Sequence, residues 1–224
     1  MRRKPAATYH HGDLGRALVE AALATIDRAG VDALTLRELA RQLGVSPGAP
    51  YRHFADKDAL LAAVAADVTQ RYQAEVAQAA AEAPPDALAQ FRATGIAAVR
   101  FAVRSPAHFR VMCTQATHAI DPATADNHAT LAAAQADGQL APLPLDAILL
   151  AARCAIYGLS RLIVDDQLPG GPVTLAQADA MALAITDVLG HGLVPRLPGD
   201  PCTAPSAAPT DPAPGSARRG RPSR

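Results

Sequence analysis

Between residues 13 and 29 the apolar positions fall at Leu14, Ala17, Leu18, Ala21, Ala22 and Ile26. Steps of three and four place them on one stripe, which predicts an amphipathic helix that Gly30 ends in a left-handed stop. A linker over residues 31–34 follows. Thr35-Leu36-Arg37-Glu38 then has the spacing of a capping box, with Thr35 as N-cap and Glu38 three residues on. Leu36, Leu39, Ala40 and Leu43 give that second helix its apolar face, and Gly44 closes it. Only Val45 separates Gly44 from Ser46, which can start a third, short helix over residues 46–54. Pro47 and Pro50 restrict where that helix begins, because proline is tolerated only in a first turn. Asp56 caps a long fourth helix whose apolar positions are Leu60, Leu61, Val64, Val68, Tyr72 and Val76. A short helix, a glycine-containing turn and another short helix form the helix-turn-helix pattern.

Behind the break at Pro84-Pro85-Asp86, the periodicity predicts five more helices. They run over about residues 86–103, 105–117, 121–135, 144–165 and 174–192, for about nine in all. No period-two alternation or hairpin signal interrupts them, so the expected class is all-α. The last two helices carry wide apolar stripes: Ile148, Leu149, Ala152, Ile156, Leu159 and Ile163 on one, and Ala178, Met181, Ala182, Ile185, Val188 and Leu189 on the other. One face of each must serve the core. A second face is available for a partner helix, and the alanines permit close approach.

Composition narrows the reading. Half of the 224 residues are hydrophobic, so a core can form, but aromatics are 4% and Trp is absent. The net charge is zero, which removes any argument for a nucleic-acid partner from bulk charge. Locally, residues 1–60 hold nine Lys/Arg against seven Asp/Glu, residues 61–200 eight against thirteen, and residues 201–224 four against one. The basic stretch Arg2-Arg3-Lys4 reads as an N-terminal arm over residues 1–8, and the Pro/Ala-rich segment 197–224 as a disordered basic tail. Three widely spaced cysteines, Cys113, Cys154 and Cys202, form no disulfide framework. No uninterrupted apolar run reaches the roughly 18 residues of a membrane span, and no signal-peptide core follows the basic start, so a cytoplasmic location is expected. His108, His118 and His128 recur every ten residues near Cys113 and Asp121, a spacing that does not share a helix face, so no metal site and no cofactor are expected. Nucleophile elbows, Walker loops and dinucleotide fingerprints are absent, and an enzyme is not expected.

Residues 9–80 resemble the DNA-binding domain of the tetracycline-repressor (TetR) family of bacterial regulators. The resemblance rests on Leu34-Thr35-Leu36-Arg37-Glu38-Leu39-Ala40, Gly44-Val45-Ser46, Tyr51-Arg52-His53-Phe54, Lys57 and Leu60-Leu61. Pro50 departs from the apolar, non-proline residue more usual there. The resemblance implies a helix-turn-helix domain over 9–56, joined by a long helix to a helical ligand-binding and dimerisation domain over 57–196. It implies phosphate contacts from Thr35, Arg37, Ser46, Tyr51, His53 and Lys57, with Pro47, Gly48, Ala49 and Arg52 nearest the bases. The last two helices would pair with those of a second copy through Leu149, Ala152, Ile156, Ile163, Ala182, Ile185 and Leu189. Phe91, Phe101, Phe109, Met112, Cys113 and Tyr157 are the candidates to line a small-molecule pocket. The implied function is a sequence-specific regulator, most simply a repressor released from a palindromic operator by an unidentified effector. The competing reading is a helical adaptor or small-molecule-binding protein that does not read DNA.

Overall fold

A computed structural model describes residues 14–114 and 122–193. The N-terminal arm, His118, Asp121 and the segment from residue 197 lie outside the described residues. The described chain is eight α-helices and two 3-10 turns, with no strand among these residues: α1 (Leu14–Ala29), α2 (Leu36–Leu43), α3 (Lys57–Glu82), α4 (Ala87–Arg104), α5 (Pro106–Thr114), α6 (Pro122–Ala136), α7 (Leu145–Val164) and α8 (Leu175–Leu193). The all-α class holds, and eight helices is close to the nine expected.

The helix ends follow from local chemistry. Thr35 accepts a hydrogen bond from the Glu38 N–H at 3.2 Å, but the reciprocal half of the expected capping box is not made. The Glu38 carboxylate instead receives Arg41 at 2.6 and 2.8 Å and Gln42 at 3.2 Å. A charged, bidentate donor outcompetes a neutral backbone N–H for that carboxylate. The full reciprocal box forms at α8, where the Thr174 N–H donates to Gln177 Oε1 at 2.9 Å and the Gln177 N–H to Thr174 Oγ1 at 3.3 Å. Asp56 caps α3 and Asp86 caps α4 through the N–H groups of Ala59 and Ala89. Gly44 ends α2 in the left-handed region (φ 68°), and the Val45 N–H reaches the Ala40 carbonyl at 3.0 Å. That closure turns the chain sharply toward Ser46.

The main core crosses the domain boundary expected near residue 57. It joins Leu18, Leu23 and Ile26 of α1, Leu36 and Leu39 of α2, and Leu60, Leu61, Val64 and Val68 of α3. The same cluster includes Phe101 of α4, Phe109 and Val111 of α5, and Val164 of α7. Val19 and Leu23 are buried on α1 although the sequence stripe omitted them, because α1 is covered on a second side by α5. A second cluster joins Val99 of α4 to Leu159 and Ile163 of α7 and Ala178 and Ala182 of α8. A third gathers Leu131, Ala134, Leu140 and Ile148 at the far end.

The sequence expectation of no uninterrupted membrane-length apolar run stands, but α7 has the average character of one. By length and composition it is apolar enough to cross a membrane, with a mean hydropathy of 1.7 over 18 residues, of which 28% are buried. Arg153 and Arg161 break the uninterrupted run without lowering that average enough to matter. The incomplete burial means that much of this apolar helix faces outward in a single chain.

Candidate nucleic-acid interface

The segment after α2 is where the structure departs most from the periodicity. In place of a third α-helix over 46–54 there is a turn followed by a 3-10 helix, Pro50–Arg52. The cause is Pro50. An α-helix starting at Ser46 would need the residue-50 N–H to donate to the Ser46 carbonyl, and proline has none. The Ser46 carbonyl is taken instead by the Ala49 N–H at 2.9 Å. The His53 and Phe54 N–H groups both close on the Pro50 carbonyl, at 2.9 and 3.0 Å. Pro50 itself is fully buried, so its ring anchors the turn from beneath.

Anchoring at Pro50 and Phe54 leaves the rest of the segment facing outward. Thr35, Arg37, Ser46, Pro47, Gly48, Tyr51, Arg52 and His53 are exposed, and Ala49 and Lys57 are half-buried. Tyr51 is 48% exposed and belongs to the surface, whereas Phe54 packs against the main core. His53 lies over the start of α1: a Cβ on Gly15 would come within 3.3 Å of its Nδ1. Gly15 is therefore a residue of the site that no sequence motif marked; its lack of a side chain lets α1 pass beneath His53.

Charge organises this face further. Arg41 is committed to Glu38, and that contact with the Gln42 amide holds the Glu38 carboxyl down at about 2. Asp56 is committed to the α3 N-terminus. Among the described residues, Arg37, Arg52 and Lys57 make no ion pair. A face with three uncommitted cations, hydroxyls at Thr35, Ser46 and Tyr51, and a flat patch at Pro47-Gly48-Ala49 suits a polyanion whose surface must be approached closely.

The remaining candidates are distributed. Phe101 and Phe109 are buried in the main core, with Phe101 edge-on to Tyr72 at 5.4 Å between ring centroids. Phe109, Cys113 and Tyr157 do come together: the two rings lie 6.1 Å apart, and the Cys113 thiol and Tyr157 phenol are near enough to influence each other. Burial raises the pKa of both the Cys113 thiol and the Tyr157 phenol. Met112 packs beside Cys113 against the main core, and Phe91 belongs to the separate third cluster. The six are thus spread over more than one packed cluster. An open recess of about 290 Å³ between the start of α4 and the end of α6 is lined by Gln90, Thr130, Asp137 and Gln139 among others, and by none of the six.

For the helix pair, two of the seven interface candidates are internal: Ile163 and Ala182 are buried against each other's helices. Ile156 and Ile185 pack on the same cluster, and Leu149 on the third; Ala152 and Leu189 are half-buried. The outward stripes run one to two residues out of phase with that set. On α7 they are Ala147, Leu150, Ala151 and Cys154; on α8 they are Ala176, Ala180, Leu183, Ala184 and Val188. Leu150 is 62% and Val188 75% exposed. Both helices are apolar nearly all round, so periodicity alone could not assign the two faces.

Residues 18–64 match the profile of the bacterial regulatory proteins of the tetR family. Over 62 residues the chain is 39% identical to the HTH-type transcriptional regulator BetI of Cronobacter sakazakii, a match that covers 28% of this chain and 31% of that protein. Among solved structures, a protein of unknown function from Rhodococcus sp. RHA1 is 34% identical, with a TM-score of 0.68 over 84% of this chain and 99% of that one. A TetR family transcription regulator from Marinobacter aquaeolei VT8 shares the fold at 19% identity, with a TM-score of 0.56 over 81% and 96% of the two chains. The ketosteroid transcriptional regulator KstR2 of Mycobacterium tuberculosis does so at 21% identity, with a TM-score of 0.54 over 86% and 100%.

Proposed function

We propose that this chain, whose residues 18–64 match the tetR family of bacterial regulatory proteins, is a sequence-specific DNA-binding transcriptional regulator acting as a homodimer. The observation that supports this most is the outward face of residues 35–57, with its three uncommitted cations around a close-approach patch. In this reading Thr35, Arg37, Ser46, Tyr51, His53 and Lys57 hold phosphates, while Pro47, Gly48, Ala49 and Arg52 meet base edges in the major groove. The 3-10 turn presents fewer residues to the groove than an α-helix would, which puts more of the base reading on Arg52. One such turn reads few bases. A two-fold dimer doubles the contact and fixes the separation of two half-sites.

The exposed apolar stripes of α7 and α8 supply the dimer contact in this reading, with Leu150, Leu183 and Val188 at its centre. An effector bound in the C-terminal half would release the operator by favouring a different separation of the two heads, and only to the extent that it binds the two arrangements unequally. The test is selection of bound sequences from a random DNA pool at near-physiological salt. An enriched palindrome with fixed half-site spacing is expected. Folded protein that enriches nothing would favour a helical adaptor.

A further inference from the structure

The N-terminal head meets the C-terminal half at two places besides the unbroken α3: α1 lies along α5, and the main core runs beneath both. Helix α5 is short, Pro106–Thr114, and carries two polar side chains that reach in different directions. His108 and Arg110 are two residues apart, which on a helix is about 200° of rotation. Arg110 turns to α7. Its guanidinium contacts the Val164 carbonyl and donates to Asp165 Oδ1 at 3.2 Å, and Asp165 is also held by Arg161 at 2.6 Å. His108 turns to the last turn of α1. Its Nε2 is 3.1 Å from Asp27 Oδ2. That nitrogen is fully buried and has no aligned hydrogen-bond partner among the described residues.

We infer that Asp27 and His108 form a latch that sets the angle of the DNA-reading head on the body, with Arg110 anchoring the same helix to the end of α7. A buried ring nitrogen beside a carboxylate, near enough to bond but out of line, is sensitive to a small rotation of α1 against α5. An apolar residue at position 108 would fill the same space without that directional dependence. Because Arg110 holds the opposite side of α5 to the helix that carries the exposed apolar stripe, the latch links head angle to the arrangement of the dimer helices. Asp27 and His108 are positioning residues: they lie on the opposite end of α1 from Gly15 and His53, and neither belongs to the face offered to DNA.

The inference rests on the DNA reading proposed above, and its experiment separates the two. The full chain and its Asp27→Ala, His108→Leu and His108→Gln variants are compared on the operator obtained by selection. The same proteins are tested on one isolated half-site and on operators with the half-site separation altered by one base pair in each direction. Thermal melts run alongside. The latch predicts that Asp27→Ala and His108→Leu lose roughly tenfold in affinity at the preferred spacing. Half-site affinity stays within about twofold and the spacing preference flattens. His108→Gln, which keeps a buried N–H donor, retains the preference. Variants that keep the wild-type spacing profile overturn the latch. So do variants that lose half-site and operator affinity equally, since that marks a general loss of stability. Wild-type protein that enriches no DNA sequence overturns the DNA reading itself, and the latch with it.

Discussion

The two halves of this chain treat their cations in opposite ways. In the back half Arg71, Arg92, Arg100, Arg104, Arg110 and Arg161 each sit on a carboxylate, and all but Arg161 reach one on a different element. In the front half Arg37, Arg52 and Lys57 have no such partner among the described residues. Regional composition barely hints at this, because nine basic residues face seven acidic ones in the first sixty. The difference lies in what the acidic groups are already doing. Asp56 caps α3, and Glu38 is occupied by Arg41 and Gln42. Exposed ion pairs contribute only about 0–1 kcal/mol to stability. The consequence of those in the back half is therefore mainly to mute positive potential away from the reading face. A chain of zero net charge can present one cationic surface when most of the cations of its other half are neutralised in place.

The sharpest way to break that contrast is to remove the uncommitted cations together. Replacing Arg37, Arg52 and Lys57 by Ala is expected to weaken operator binding on the order of a hundredfold at physiological salt, and to reduce the log–log salt slope by roughly 2, the share of the two phosphate-facing cations Arg37 and Lys57. Replacing Arg92, Arg100 and Arg104 by Ala should leave that slope unchanged. Fluorescence anisotropy across a salt series reads both, and equal slopes for the two triple variants would refute the division of labour.

A smaller effect compares helix caps. Thr35→Ala and Thr174→Ala each remove an N-cap worth about 1 kcal/mol, which denaturant unfolding will register. Only Thr35→Ala should also weaken DNA binding, because only Thr35 lies on the exposed cationic face. If Thr174→Ala weakens DNA binding by as much, the cap acts through general stability.

Smallest is the acid response of α2. The Glu38 carboxyl is held down at about 2, well below the usual carboxylate range, by the Arg41 guanidinium with the Gln42 amide. Its contact with Arg41 therefore contributes above the unfolded value and is lost as pH falls toward 2. The amide resonances of α2 should shift with that midpoint, and Arg41→Ala should move the midpoint up toward the ordinary carboxylate range.

Much of this architecture was legible in the residue pattern. Thr35, Asp56, Asp86, Pro144 and Thr174 all stand where helices begin, because capping is decided by a few adjacent atoms. The ten residues proposed to face DNA come from the motif, and all ten are exposed or half-buried. Three things were not. The 3-10 turn at Pro50–Arg52 depends on how one missing N–H is compensated by neighbouring carbonyls. The outward faces of α7 and α8 depend on which side α4 covers, and two helices rich in Ala, Leu and Ile carry no polar marker of that choice. The closeness of Gly15 to His53, and of Asp27 to His108, is tertiary and leaves no local periodicity to find.

The core that runs from Leu39 and Val64 to Phe101, Phe109 and Val164 bears on how such a chain can be recombined. If the reading head were cut at residue 57 and grafted onto another body, Leu18, Leu23 and Ile26 would lose the cluster they share with Leu60, Val64 and Val68 of α3 and with Phe109 and Val111 of α5. A transplant that preserves function must carry the inner face of α5, and with it Phe109 and Val111, as part of the donor segment. Under the proposed DNA reading, the segment that carries specificity is therefore larger than the set of residues that would touch DNA, and it is discontinuous along the chain.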